Sequence, residues 1–173
     1  MRKIVLTGGP CSGKSTVLEE LRKRGFSVLR ETAKEIVAAR RDIPMSKEES
    51  DIRQALIFNG QVKKEDDAEK ENHDILFLDR GLIDGLGYSV LYSGEESIQK
   101  YLPAVKNRKY DLIFIFEQLP FSSEGFRAVN ENEEEALKIR NSIDNLYKKL
   151  GYQTINVPVM SVKERVEFIL ERI

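Results

Sequence analysis

Ile4-Val5-Leu6-Thr7-Gly8-Gly9-Pro10-Cys11-Ser12-Gly13-Lys14-Ser15-Thr16 is the stretch whose reading decides the fold. A short apolar run passes into a glycine-rich turn and then into an amphipathic stretch. Residues Gly8 to Ser15 fit G-x-x-x-x-G-K-[ST] in full. Glycines let successive backbone N–H groups turn inward and form a nest for phosphate oxygens. A helix beginning near Lys14 would aim its positive end at the same anion. Lys14 is then expected to bridge β- and γ-phosphate oxygens, and the Ser15 hydroxyl to ligate Mg²⁺. Composition alone would produce this pattern in roughly one chain in 200 of this length. Gly8, Gly9, Pro10, Cys11, Ser12, Gly13, Lys14, Ser15 and Thr16 are therefore the candidate nucleotide-binding residues. Cys11 reads as a small residue that fits the turn rather than as a redox-sensitive thiol.

Outward from this motif, short apolar runs alternate with longer amphipathic stretches, as in βα units around a parallel sheet. Strands are predicted at Lys3–Thr7, Ser27–Glu31, Ile75–Asp79, Asp111–Glu117 and Gln153–Val157. The runs ILFL and LIFIF show no polar–apolar alternation, as expected of strands covered on both faces. Helices are predicted at Lys14–Arg24, Ala33–Arg41, Lys47–Glu71, Leu82–Tyr92, Ser97–Lys106, Glu133–Leu150 and Val162–Arg172. Ser46-x-x-Glu49 and Ser161-x-x-Glu164 carry capping-box signatures, and Gly25 and Gly151 read as C-terminal stops. The mixed-sign segment from Lys63 to Glu71 reads as a solvated helix face.

The chain of 173 residues, 40% hydrophobic, has the apolar mass for one core, so a single domain over 1–173 is expected. A net charge of −1 gives no bulk reason to expect nucleic acid or an anionic membrane as partner. One cysteine cannot form an internal disulfide. The apolar run behind Met1-Arg2-Lys3 is too short for a signal-peptide core, and Leu112–Phe116 is too short to span a bilayer. A cytoplasmic location is the expectation.

Ligands of open α/β sheets gather at the carboxyl ends of strands, where Glu31, Asp79 and Glu117 fall. Asp79 closes the apolar strand ILFLD and can hold the water shell of a nucleotide-bound Mg²⁺, which makes Ser15 and Asp79 the candidate metal residues. Arg80 follows and can contact a phosphate or the acceptor, or serve only as a surface arginine beside a helix cap. Glu31 can take a proton from an acceptor hydroxyl, or it makes a structural contact with the P-loop or caps the following helix. Glu117 has the weaker claim. The irregular stretch Gln118 to Asn132 reads as a lid-like loop, and its Arg127 can bring a cation to the transferring phosphoryl group. The candidate catalytic residues are thus Lys14, Glu31, Asp79, Arg80 and Arg127. Gln54 and Gln61 share a helix face that either meets a substrate or faces solvent. His73, with no cluster of zinc-ligand spacing around it, reads as a loop residue.

Taken together, the sequence resembles the P-loop kinase-like proteins labelled "AAA domain", related to the nicotinamide riboside kinase domain of NadR. It is also similar to a domain of a GTP-binding factor implicated in moving TRP channels. The resembling residues are IVLTGGPCSGKST at 4–16, RETAKEIV at 30–37, FLDRGLIDGLGY at 77–88 and YDLIFIFEQLPF at 110–121. GFR at 125–127, LYKKLGY at 146–152 and VPVMSVKERVEFIL at 157–170 continue it. The resemblance implies a three-layer P-loop α/β fold whose five-stranded parallel sheet has the order 2-3-1-4-5. It further implies binding of ATP or GTP with Mg²⁺, with the base packed near Asn156 to Pro158. The label departs from the ring ATPases, because the chain has no room for their extra helical domain. The resemblance does not extend to the nucleotidyl-transfer portion of NadR or to an appended lipid-binding domain, and it carries over no acceptor.

Two functions compete. One is a kinase moving the γ-phosphoryl of ATP or GTP to a small nucleoside-like or other hydroxyl. The other is a nucleotide-binding regulatory module or slow NTPase that signals to a protein partner; a homodimer is compatible with either. The P-loop serves both. The strand-end carboxylates, Arg80 and the lid-like loop favour the kinase. No N-K-x-D guanine-reading motif occurs, and the near-neutral charge disfavours a nucleic-acid 5′-kinase.

Overall fold

The computed structural model describes residues 1–44, 46–120 and 132–173. Five parallel strands form one sheet in the order β2-β3-β1-β4-β5. They are β1 (Arg2–Gly8), β2 (Ser27–Leu29), β3 (Ile75–Asp79), β4 (Leu112–Phe116) and β5 (Thr154–Val157). The helices are α1 (Lys14–Lys23), α2 (Ala33–Ala39), α3 (Lys47–Glu69), α4 (Leu82–Ser93), α5 (Leu102–Lys106), α6 (Glu133–Lys149) and α7 (Val162–Leu170). Fold class and strand order agree with the expectation from sequence.

Two-sided burial explains the unalternating strands. On one face Val5, Leu78 and Ile113 pack with Ile83, Leu86, Ile143 and Tyr147 of α4 and α6. On the other, Ile4, Leu6, Phe77 and Phe114 pack with Val17 and Leu21 of α1 and Val166 and Ile169 of α7. Successive strand residues thus feed opposite cores, which makes three layers. Gly87 lets α4 and α6 approach: a Cβ there would stand 2.7 Å from Ile143 Cγ1 and 3.0 Å from its Cα. Among the described residues, no helix is long and apolar enough to cross a membrane.

Several local readings differ from the structure. β2 stops at Leu29, because the chain leaves the ladder there and turns into α2, which sets the Glu31 carboxylate against Arg80 rather than at a strand end. The stretch before α5 is a 3-10 helix at Glu95–Tyr101, entered through Gly94 at a positive φ of 79°. Ser46 caps α3 by accepting from the Glu49 N–H, but the Glu49 side chain does not return the bond. It pairs instead with Arg40 at 2.7 Å and Arg53 at 2.6 Å, which hold its carboxyl down at about 2. Ser161 and Glu164 make the reciprocal box in full.

The segment from Lys63 to Glu71 is not uniformly solvated. Glu65 and Ala68 are buried, Glu65 completely. Glu65 accepts from the Tyr110 hydroxyl at 3.0 Å and from the Gln61 amide at 3.1 Å, so an apparently exposed charge run contributes a polar pin to the interior. Burial raises its carboxyl above the usual range.

Candidate functional site

β1 delivers its last residue, Gly8, into a turn that hugs the neighbouring strand and helix. A Cβ at Gly8 would stand 2.9 Å from the Phe116 carbonyl, and one at Gly9 only 2.5 Å from the carbonyl of Ala136. Glycine is needed at both positions for that approach. Cys11 (φ 56°) and Gly13 (φ 81°) take left-handed conformations, and α1 starts at Lys14 directly behind them. Successive left-handed and right-handed residues turn N–H groups to one side, the geometry of an anion nest. Pro10 and Thr16 lie in the turn and in the first turn of α1.

Lys14 folds back over the loop. Its ammonium donates to the carbonyl of Gly9 at 2.7 Å, to Ser12 Oγ at 3.0 Å and to the carbonyl of Gly8 at 3.4 Å. Ser12 Oγ in turn donates to the Gly9 carbonyl at 3.0 Å. Burial, reinforced by the charge of Arg80, lowers the Lys14 pKa to about 7. An anion arriving in the nest would remove that penalty.

Arg80 is the second buried cation. It is a non-glycine residue at φ 69°, a conformation that costs about 1–3 kcal/mol and persists where surrounding contacts impose it. Those contacts are visible. Nη1 donates to the Gly8 carbonyl at 3.0 Å and to Asp84 Oδ1 at 3.1 Å, while Nε stands 3.0 Å from Glu31 Oε1. The reading of Arg80 as a surface residue beside a cap is therefore excluded, since only 8% of it is exposed.

Asp84 organises this corner. It accepts from the Thr7 hydroxyl, from Arg80, from the Gly81 N–H at 3.0 Å and from the Tyr147 hydroxyl at 2.7 Å. One carboxylate thereby ties β1, the Asp79-Arg80-Gly81 turn, the first turn of α4 and α6. Gln61 adds a further tie, donating to the Arg80 carbonyl at 3.3 Å and accepting from Thr32 at 2.8 Å. Gln61 is therefore a buried structural residue. Gln54 lies against Gly85 of α4 with a buried Nε2 that has no hydrogen-bond partner.

Glu31 and Asp79 come together under Lys34 of α2. The Lys34 ammonium lies 3.3 Å from Glu31 Oε2, 3.9 Å from Asp79 Oδ2 and 3.2 Å from Ser15 Oγ. Burial alone would raise Glu31, but Arg80, Lys34 and Lys14 outweigh it and hold its carboxyl below the usual range. Asp79 moves the other way, raised by burial and by the nearby Glu31 charge. Its Oδ1 is buried and unpartnered. Such an oxygen fits a hydrated cation, and the Ser15 hydroxyl on the same side supplies a second hard donor. Among the described residues, no group of three or more His, Cys, Asp and Glu could hold a metal. A Mg²⁺ bound here would draw other ligands from phosphate oxygens and water.

Sequence reasoning missed Arg165, which reaches back from α7. Its Nη1 donates to the Ser12 carbonyl at 2.8 Å and its Nε to the Pro158 carbonyl at 3.1 Å, with the guanidinium 5.5 Å from the Phe116 ring centroid. The available clue was a charged residue sharing the buried face of Val166 and Ile169. Asp84 and Lys34 were also missed, although they lie within the quoted stretches 77–88 and 30–37, three residues after Gly81 and Glu31. Glu117 is taken up structurally by the Asn156 side chain and the Val159 N–H. Asn156 also accepts from Arg140 at 2.6 Å. His73 is a loop residue between Ser27 and Glu71. Arg127 and most of the lid-like loop lie outside the described residues.

Known structures share this architecture. Deoxyadenosine kinase from M. mycoides with bound dATP superposes with a TM-score of 0.77 at 18% identity, over 99% of this chain and 98% of that one. NadR in complex with NR gives a TM-score of 0.76 at 18% identity, over 98% of this chain but 49% of NadR. Thymidylate kinase from Ehrlichia chaffeensis gives 0.69 at 15% identity, over 99% and 97% of the two chains. At these identities the likeness establishes the fold. Comparison with curated protein sequences gives no match. The family model described as "AAA domain" matches residues 3–165, nearly the whole chain, and the protein belongs to that family.

Proposed function

We propose that this protein is a kinase that transfers the γ-phosphoryl of ATP or GTP to a hydroxyl of a small nucleoside-like acceptor, with Mg²⁺. The observation that carries this reading is the position of Arg80. It is held in a strained conformation between a P-loop carbonyl and the Glu31 carboxylate, beside Asp79. A phosphate-binding turn alone needs none of these neighbours. Transfer to a hydroxyl needs a proton acceptor and fixed positive charge next to the phosphates. The similarity in fold to deoxyadenosine kinase and to NadR in complex with NR supports a nucleoside-like acceptor.

The roles follow from chemistry. Residues 8–16 cradle the phosphates through their N–H groups, and Lys14 leaves the carbonyls of Gly8 and Gly9 for phosphate oxygens. Ser15 and Asp79 would hold the metal, which would supply positive charge against the phosphate oxygens. Glu31, kept ionised by Arg80, takes the proton of the acceptor hydroxyl. The freed oxygen bonds to the γ-phosphorus as the bond from that phosphorus to the bridging oxygen breaks, leaving the nucleoside diphosphate. Arg80 stabilises the charge on the transferring group, and Arg127 serves as a second cation from the lid. Gln54, whose buried Nε2 has no hydrogen-bond partner within the protein, contacts the acceptor. Residues 156–158 flank the nucleotide base. We place the enzyme in the cytoplasm and treat residues 1–173 as one catalytic unit.

The test is a Mg²⁺-dependent transfer screen with ATP and GTP against nucleosides and related small alcohols, with Lys14→Ala as blank. A phosphorylated acceptor absent from the blank supports the kinase. Tight nucleotide binding with no transfer to any member of the panel favours the regulatory module.

A further inference from the structure

Lys34 occupies an unusual position for a lysine whose side chain is 63% exposed. Its ammonium is surrounded by one hydroxyl and two carboxylates, from Ser15, Glu31 and Asp79, at 3.2, 3.3 and 3.9 Å. These oxygens come from α1, the turn before α2 and the end of β3. A cation among hard oxygen donors from separate elements has the surroundings of a bound divalent ion. The Asp79 carboxylate is buried and that of Glu31 is largely covered, with side chains 8% and 14% exposed, while the lysine stem that reaches them lies in solvent. Asp79 Oδ1 gives independent evidence. It is buried and has no hydrogen-bond partner within the protein, so Lys34 does not satisfy this carboxylate.

We propose that Lys34 is an internal counter-cation, standing in the divalent-cation position of the nucleotide-free protein so that metal enters only together with the nucleotide phosphates. The inference rests on reading Ser15 and Asp79 as the metal residues. Without Lys34, the Glu31 and Asp79 carboxylates would attract free divalent ions and repel an incoming polyphosphate. With it, the pocket presents balanced charge to an anion. Two cations cannot share the same oxygens, so Lys34 must leave when the metal–nucleotide complex arrives. Its solvent-exposed stem allows that movement without unpacking the core.

Mn²⁺ is the probe, followed by electron paramagnetic resonance in titrations of the nucleotide-free protein. Lys34→Met is expected to bind Mn²⁺ at least about tenfold more tightly than the parent protein, because one positive charge a few ångströms away is gone. Lys34→Arg keeps the charge and is expected to behave as the parent. Adding Asp79→Asn to Lys34→Met is expected to abolish the gain. Thermal melts confirm that each variant is folded. A Lys34→Met protein that binds Mn²⁺ no more tightly than the parent overturns the proposal. A parallel titration with a non-hydrolysable ATP analogue separates the two readings. If the analogue confers a Mn²⁺ site on the parent while Lys34→Met changes nothing, only the counter-cation fails. If the analogue confers no site on the parent, the metal assignment fails with it.

Discussion

Nucleotide binding should take up a proton at Lys14. In the nucleotide-free protein burial holds this lysine at about 7. At pH 8 roughly one molecule in ten then carries the proton, and at pH 7 about half do. Phosphate oxygens beside the ammonium return its pKa toward the normal lysine range, so the complex is fully protonated. Binding should therefore take up about 0.9 proton at pH 8, about 0.5 at pH 7 and close to none at pH 6. Calorimetric titrations at each pH, in buffers of different ionisation enthalpy, give the number directly. Working at pH 8 also keeps the terminal phosphate of the nucleotide ionised throughout. Lys14→Arg is the control, because a guanidinium is charged across this range and should show no uptake. Zero uptake at pH 8 in the parent, or equal uptake in Lys14→Arg, would refute the inference from burial. The same shift affects stability. Between pH 7 and 10.5 the unfolded chain binds more protons at this lysine than the folded one, so Lys14 makes the nucleotide-free protein more stable as pH rises through that window.

Asp79→Asn should leave most nucleotide affinity intact while raising the Mg²⁺ requirement for turnover at least about tenfold; an unchanged metal titration would remove Asp79 from the site. Arg165→Met loses charge-assisted bonds to the carbonyls of Ser12 and Pro158. It should lower stability by roughly 2–4 kcal/mol in denaturant melts and weaken nucleotide binding, and an unaltered nucleotide affinity would leave Arg165 with a purely structural role. Gly87→Ala places a methyl 3.0 Å from the Ile143 Cα and should cost about 1–3 kcal/mol of stability, read from the same melts. A neutral result there would mean that α4 and α6 separate easily.

The sheet was legible because its strands are buried on both faces. Lys3–Thr7, Ile75–Asp79 and Asp111–Glu117 could be placed from unbroken apolar runs, the last one residue too long at each end, and the turn after β1 from its glycines. Strand order came from resemblance, since runs of this kind carry no information about their neighbours. β2 was overextended because Arg30 and Glu31 continue the polypeptide without a local break, and only the partner Arg80 draws Glu31 out of the ladder. Candidate site residues within contiguous motifs, such as Lys14, Ser15 and Asp79, were visible. Those assembled by tertiary packing were not. Arg165 meets the P-loop across 153 positions of sequence, and Asp84 accepts from Thr7 across 77. Glu65 illustrates the converse error, a charge placed on the solvent face by its neighbours and taken into the interior by Tyr110 and Gln61.

The most direct measurement follows phosphorylated acceptor and free phosphate in one reaction, for the parent protein and for Glu31→Gln. If Glu31 takes the acceptor proton in a kinase, the parent forms one phosphorylated acceptor per nucleotide consumed, and Glu31→Gln binds nucleotide normally but transfers at least about 100-fold more slowly. Nucleotide consumed only to free phosphate, at the same rate in both proteins and whatever acceptor is present, would contradict the kinase and leave a nucleotide-hydrolysing module.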